Sequence, residues 1–472
     1  MILYSHYIAD NCKSTQKEGM RIHFIAIGGS AMHNLALALH HKGDEVSGSD
    51  DEIFEPSKGR LKSAGLLPKE QGWFEDKITT NLDAVILGMH ARADNPELLK
   101  AQKVGLRIYS YPEYLYEQTK SKKRVVIGGS HGKTSITAMI LHVLNHHEVE
   151  ADYMVGAQLE GFDTMVRLTD EAEVVVLEGD EYLSSPIDRR PKFHLYRPDV
   201  ALISGISWDH INVFPTFENY IEQFSIFIDL IEEGGQLIYC TEDKEVRALA
   251  EDQSVKASKI PYGIPPHKNR DGITYLQTSE GEVPLKIFGN HNLMNLEGAR
   301  AVCTGIGLDD LSFYQAICTF KGASMRLELV AEGENSSVFK DFAHSPSKLE
   351  ATTGAVKDQF TDRRLVACME LHTFSSLNRD FLDQYNGSMD KADTAIVYFN
   401  PETLKHKRLP DITAAEVKEA FAREDLLVIT DSTELSNHLQ KLTWRNTNLL
   451  LMSSGNFDGL SLEELGKRVV NS

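Results

Sequence analysis

The 472-residue chain has little that would tie it to a membrane, a zinc site or a nucleic acid. No apolar run approaches the roughly 20 residues needed to cross a bilayer. The five cysteines (Cys12, Cys240, Cys303, Cys318 and Cys368) lie far apart, with no Cys-x-x-Cys pair and no Cys/His cluster. That spacing excludes a zinc framework and a disulfide scaffold. Positive charge is scarce: 49 Lys and Arg face 69 Asp and Glu, for a net charge of -20. Nucleic acid is thereby excluded as the main partner, since a phosphate backbone needs clustered cations. Residues 1–19, "MILYSHYIADNCKSTQKEG", lack the continuous apolar core of a signal peptide, so they read as an accessory extension. Low-complexity tracts and short-period repeats are also absent. The expectation is a reduced, cytoplasmic, multidomain protein, a monomer or weak dimer.

What is present is ordinary for a globular chain, at 42% hydrophobic and 25% charged residues. The length exceeds one hydrophobic core, and three α/β segments can be read. The first runs from "RIHFIAIGGSAM", where the apolar run Ile22 to Ile27 suits a buried parallel strand. A second strand at Glu45–Ser49 ends at Asp50, with further strands at 84–88 and 107–110. The polar stretch "EQTKSKKR", 117–124, is expected to be a linker. The second segment starts at Val125 and includes "EVVVLEGDEY" and "VALISGISWDH". The third begins near Arg326, where "RLVACMEL", "TAIVYF", "DLLVIT" and "NLLLMSS" predict a parallel sheet covered by helices. The fold class is α/β, with domains expected at 20–120, 121–323 and 324–472.

The stretch "RVVIGGSHGKTSIT" places glycines between a strand ending at Ile127 and a helix beginning near Ser135. Backbone N–H groups and the positive end of the helix dipole favour a phosphate there. Lys133 can reach the outer phosphates, and Thr134 can offer its hydroxyl to Mg²⁺. The spacing differs from the common phosphate loop, which would have a glycine where Ile127 stands.

A shortened loop of this kind resembles that of the Mur ligase family, the ATP-dependent enzymes that build peptidoglycan precursors. The resemblance extends over nearly the whole chain from Met20: "HFIAIGGSAM" is similar to the family's first glycine turn, "LEGDEY" and "SWDH" to its metal motifs, "GNHNLMN" to its adenine-side motif, and "DFAHSP" to a third-domain motif facing the nucleotide. It implies three domains: a Rossmann-like one for UDP-N-acetylmuramate, a central P-loop ATPase domain, and a Rossmann-like C-terminal one for the incoming amine. By the same resemblance Gly129, Ser130, His131, Gly132, Lys133, Thr134 and Ser135 cradle ATP. Thr134, Glu178 and His210 hold Mg²⁺, with Glu181 a second choice. His291, Asn292 and Asn295 face the nucleotide, Arg326 reaches its γ-phosphate, and Asp341 and His344 belong to the third domain's contribution. Gly28, Gly29, Ser30, Ala31, Met32 and Asp50 are placed at the sugar nucleotide. No lysine lies between Asp209 and Glu242, so the carbamylated lysine of many family members is absent. For Asn292, helix capping competes with adenine contact.

The implied reaction passes through an acyl phosphate, with Lys133, Glu178, His210 and Arg326 as catalytic residues. The stretch "DEYLSSPIDRRPKFHLYRPD" looks more like the branch that attaches the tripeptide L-alanyl-γ-D-glutamyl-meso-diaminopimelate than the branch that attaches L-alanine. On that reading Arg190 and Lys192, beside Arg189 and Arg197, meet the peptide's carboxylates. L-alanine is the main alternative. An NAD-dependent oxidoreductase, resting on Gly28 to Asp50, leaves Gly-Lys-Thr unexplained. A non-catalytic nucleotide-binding module would require missing metal ligands, and folate polyglutamylation does not fit the first glycine turn.

Overall fold

The structure is a computed structural model and describes residues 19–471 apart from 160, 209–212, 271 and 324–325. The chain divides into two units, one reaching Leu115 and taking in Val166–Thr169 and Leu183–Arg189, the other holding the remainder.

In the first unit four parallel strands run in the order Glu45–Ser49, Arg21–Ile25, Ala84–Leu87, Ile108–Ser110. The expected strands are all present. The inner strand Arg21–Ile25 is flanked on both sides, and Ile22, Phe24 and Ile25 are fully buried, which is why its sequence is a continuous apolar run. The helix after the glycine turn begins at Ser30 and closes at Lys42, where Gly43 at φ 101° lets its N–H reach back to the carbonyls of Leu39 and His40.

The second unit holds two sheets and a small hairpin sheet. Parallel strands run in the order Ser258–Tyr262, Gln236–Cys240, Val200–Ile203, Lys123–Gly128, Val174–Gly179, Ala151–Met154. Helices Lys133–His146 and Asn290–Gly305 pack on this sheet, and Val125, Ile127, Ile136, Leu202 and Leu296 share its core. The other large sheet has the order Glu328–Glu332, Ser337–Asp341, Thr447–Met452, Arg364–Glu370, Thr394–Tyr398, Leu427–Ile429. Its residues alternate between two cores: Leu365, Ala367 and Met369 enter one, Val366 and Cys368 the other. Both faces are covered, as the apolar runs require.

Three expectations change. The last sheet is not wholly parallel, since Glu328–Glu332 pairs antiparallel with Ser337–Asp341. Three antiparallel strands at His267–Arg270, Ile273–Thr278 and Gly281–Leu285 are an addition; their mixed polar pattern gave no clear alternation. The stretch 117–124 is not a linker. It spans the end of helix Tyr111–Thr119 and the start of strand Lys123–Gly128. Two of its cations are buried and paired: Lys122 with Asp152, and Arg124 with Asp199 at 3.2 Å. Pairing offsets part of the cost of burying such groups.

Candidate active site

Strand Lys123–Gly128 delivers the glycine loop to the N-terminus of helix Lys133–His146. Gly129 and Gly132 have φ of 132° and 80°, the left-handed region that side chains avoid. Space requires glycine as well: a Cβ on Gly132 would stand 2.5 Å from Asn295 Oδ1, and one on Gly129 would collide with Ser204 Oγ. The loop is pinned from below. Ser130 N and Oγ donate to Gly205 O at 2.9 and 3.2 Å, Ser207 N donates to Ser130 Oγ at 2.8 Å, and Ser204 Oγ donates to the carbonyl of His131. The helix has no side-chain cap and no acidic residue in its first turn. Its leading N–H groups therefore suit an anion.

Beside the loop, strand Val174–Gly179 brings in carboxylates. Glu178 is 4% exposed; its Oε1 accepts from Thr134 Oγ1 at 2.8 Å and its Oε2 from Gly156 N at 2.7 Å. Burial, then the nearby Asp180, raise its carboxyl above the usual range, with Lys133 opposing. Lys133 Nζ lies 2.9 Å from Glu181 Oε2. Burial alone would lower the Lys133 ammonium, but Glu181, Asp180 and Glu178 together hold it above its ordinary value. Thr134 and Glu178 thus offer two adjacent oxygen donors, the chemistry a hard Mg²⁺ ion takes. His210 lies outside the described residues. Among those described, no group of three His, Cys, Asp or Glu converges as a metal site.

The opposite wall comes from helix Asn290–Gly305 and the chain after Arg326. One cavity of about 740 Å³ is lined by Ser130 to Ser135, Glu178, His291, Asn292, Asn295, Arg326, Asp341 and His344. The expected nucleotide residues are therefore brought together, apart from Gly129, which is behind the loop with its carbonyl on Lys133 at 2.6 Å. Asn292 Nδ2 donates to Phe288 O at 3.0 Å, a contact within its own helix start, whereas Asn295 faces Gly132. Burial pushes both His131 and His291 down to about 4, helped by Lys348 for the first and by His131 for the second. The Arg326 guanidinium lies over the Phe342 ring at 4.9 Å. Asp341 spends its oxygens on backbone: Leu327 N at 2.5 Å and Ala343 N at 2.6 Å. It fixes the turn that presents Arg326 and His344.

Sequence reasoning missed Lys348, Met294, Thr373 and Ser454, which also line the cavity. Lys348 carried a signal. It sits in the first turn of helix Pro346–Gln359, which has no acid there, and a cation at that end works against the helix dipole.

The residues expected at the sugar nucleotide lie in the first unit. Asp50 Oδ2 accepts from Gly28 N at 2.6 Å, and burial raises its carboxyl to about 6. Gly29 caps the helix on which Ser30, Ala31 and Met32 form the first turn. The cations expected at a peptide are not gathered in the cavity. Lys192 Nζ pairs with Asp180 at 3.2 Å, Arg197 pairs with Glu232 at 3.1 Å, and Arg190 does not line the cavity.

Three family models match along the chain: Mur ligase family, catalytic domain, at residues 21–123; Mur ligase middle domain at 127–303; and Mur ligase, glutamate ligase domain, at 325–455. A UDP-N-acetylmuramate–L-alanine ligase from Carboxydothermus hydrogenoformans is 28% identical over 98% of this chain and 99% of that protein. Another of the same name from an Arthrobacter species is 30% identical over 80% of each chain. Among solved structures, a UDP-N-acetylmuramate-alanine ligase from Thermotoga maritima has a TM-score of 0.68 at 21% identity, covering 96% of this chain and 98% of that one. A murein peptide ligase from Psychrobacter arcticus has a TM-score of 0.62 at 24% identity, covering 96% and 99%. The structural likenesses establish the fold. No helix among the described residues is long and apolar enough to cross a membrane.

Proposed function

The chain belongs to the Mur ligase family of ATP-dependent amide-forming ligases, and from that premise we propose that it joins the lactyl carboxylate of UDP-N-acetylmuramate to L-alanine. The observation that carries a ligase reading is the single cavity in which Lys133, Thr134 and Glu178 face Arg326 and His344. The choice of L-alanine rests on the name shared by the sequence relatives.

A carboxylate is a weak nucleophile, so its attack on the γ-phosphorus needs a neutralised and well-placed phosphoryl group. Lys133 and Arg326 supply fixed positive charge, and the open helix N-terminus supplies N–H donors. Thr134 and Glu178 would hold Mg²⁺, whose charge offsets that of the phosphates when bound. ADP leaves as the acyl phosphate forms. The amine then attacks the acyl carbon, phosphate departs, and the nitrogen loses a proton to complete the amide.

The tripeptide remains a second reading, favoured by the run Asp180-Glu181-Tyr182 and by Lys192. It is the weaker one, because Lys192 and Arg197 are already paired with acids of this chain. Phosphate release with ATP and UDP-N-acetylmuramate separates the two. L-alanine is expected to support turnover; turnover only with the tripeptide overturns the choice of amine.

A further inference from the structure

Lys133 does not wait for a nucleotide to find its position. Its ammonium donates to Gly129 O at 2.6 Å and to Glu181 Oε2 at 2.9 Å. An ammonium has three donors, so two are committed within the chain and the third remains for a phosphate oxygen. Glu181 is itself held. It is 2% exposed, and the Tyr220 hydroxyl donates to its Oε1 at 3.1 Å. Tyr220 is fully buried on helix Phe217–Asp229, with its ring 5.3 Å from those of Phe214 and Phe224.

On electrostatics alone, a buried carboxylate beside a phosphate-binding lysine is a poor choice, since its charge opposes the ligand's. What it supplies is geometry. A lysine is a point charge on a flexible four-carbon stem, and a fixed acceptor on each side of the ammonium removes that freedom before the ligand arrives. Glu178 and Glu181 therefore differ in their surroundings. Glu178 stands beside the Thr134 hydroxyl, whereas the oxygens of Glu181 face an ammonium and a phenol.

Resting on the nucleotide-site reading, we infer that Glu181 and Tyr220 are positioning residues that hold Lys133 aimed at the transferring phosphoryl group, and that Glu181 is not a metal ligand.

The test compares Glu181→Gln, Tyr220→Phe and the double variant with the unmutated chain, after Mg·ADP titration by calorimetry has been run on the latter. Glu181→Gln is expected to lower kcat about 10- to 100-fold while KM for ATP moves less than about threefold, as when a preorganised transition-state contact is lost. The split between kcat and KM is the readout that a merely structural role would not give. Tyr220→Phe keeps the ring, so it serves even if Glu181→Gln folds poorly. Its smaller loss in kcat should add nothing in the double variant. The Mg²⁺ dependence should be unchanged in both.

An unmutated chain that binds no Mg·ADP overturns the nucleotide reading itself. Normal binding with a Glu181→Gln kcat within about twofold of the unmutated value, or losses that multiply in the double variant, overturns the positioning role alone.

Discussion

Thr134 Oγ1 donates to Glu178 Oε1 across 2.8 Å, joining the first turn of the loop helix to the end of the neighbouring strand. Two oxygen donors are thus preset side by side in a buried place. Thr134→Ala and Glu178→Gln should each raise the Mg²⁺ concentration for half-maximal turnover by about tenfold or more, as when a ligand or its oriented partner is lost. The check is a Mg²⁺ titration of phosphate release at saturating ATP. Curves that overlay the unmutated chain would remove both residues from the metal site.

Lys133→Ala should cost about 100-fold or more in turnover, and it should not leave stability untouched. Its partner Glu181 is 2% exposed. Removing the lysine strands that charge, a loss on the order of 3 kcal/mol for a buried pair. Thermal melting should therefore drop for Lys133→Ala and recover in part for Lys133→Ala with Glu181→Gln, while turnover stays lost in both. A melting curve identical to that of the unmutated chain would show that the pair contributes nothing to folding.

The parts of this site legible in the sequence are those fixed by backbone geometry. A strand, two glycines, Lys133 and Thr134 in succession admit few arrangements, and the apolar runs of the parallel strands are long enough to read directly. What was not legible depends on contacts between distant segments. Gly132 must be glycine partly because Asn295, far along the chain, abuts it. Lys122 and Arg124 looked like solvated charges until Asp152 and Asp199 closed on them. Asp341 was recognisable by motif, but its use in fixing backbone amides was not. The cations from Arg189 to Arg197 lie together along the sequence, but Lys192 pairs back to Asp180 and Arg197 pairs with Glu232 of another segment.

The two cavity histidines predict how stability depends on pH. His131 and His291 are held down to about 4 from 6.5, first by burial. Between those values the unfolded chain binds protons that the folded chain refuses. Their contribution is therefore complete above about pH 6.5, is lost as pH falls through the window, and is gone near pH 4. The raised carboxyls of Glu178 and Asp341 act in the opposite sense, so the comparison must be between variants. His291→Asn should flatten the fall in melting temperature of the nucleotide-free chain between about pH 7 and pH 5. An unchanged slope would take His291 out of this account.

Lys348 gives the last test of the cavity as a polyanion site. It lies in the first turn of helix Pro346–Gln359, where the dipole disfavours a cation and acids are the usual choice. Such a placement breaks a local rule, and rules of that kind are broken most often where a ligand compensates. The side chain lines the same cavity as the glycine loop, and its charge lowers the basicity of His131 on the facing wall. A bound triphosphate would meet Lys133 from one side and Lys348 from the other, on a chain whose net charge of -20 otherwise repels it. Lys348→Ala should therefore weaken ATP binding by about tenfold, the effect of one well-placed charge, and should reduce the salt dependence of that binding. Equilibrium titration with ATP at low and high salt, with melting curves as a control for folding, reads both. Equal affinities for the variant and the unmutated chain at low salt would mean that Lys348 serves the helix and its neighbours, not the nucleotide.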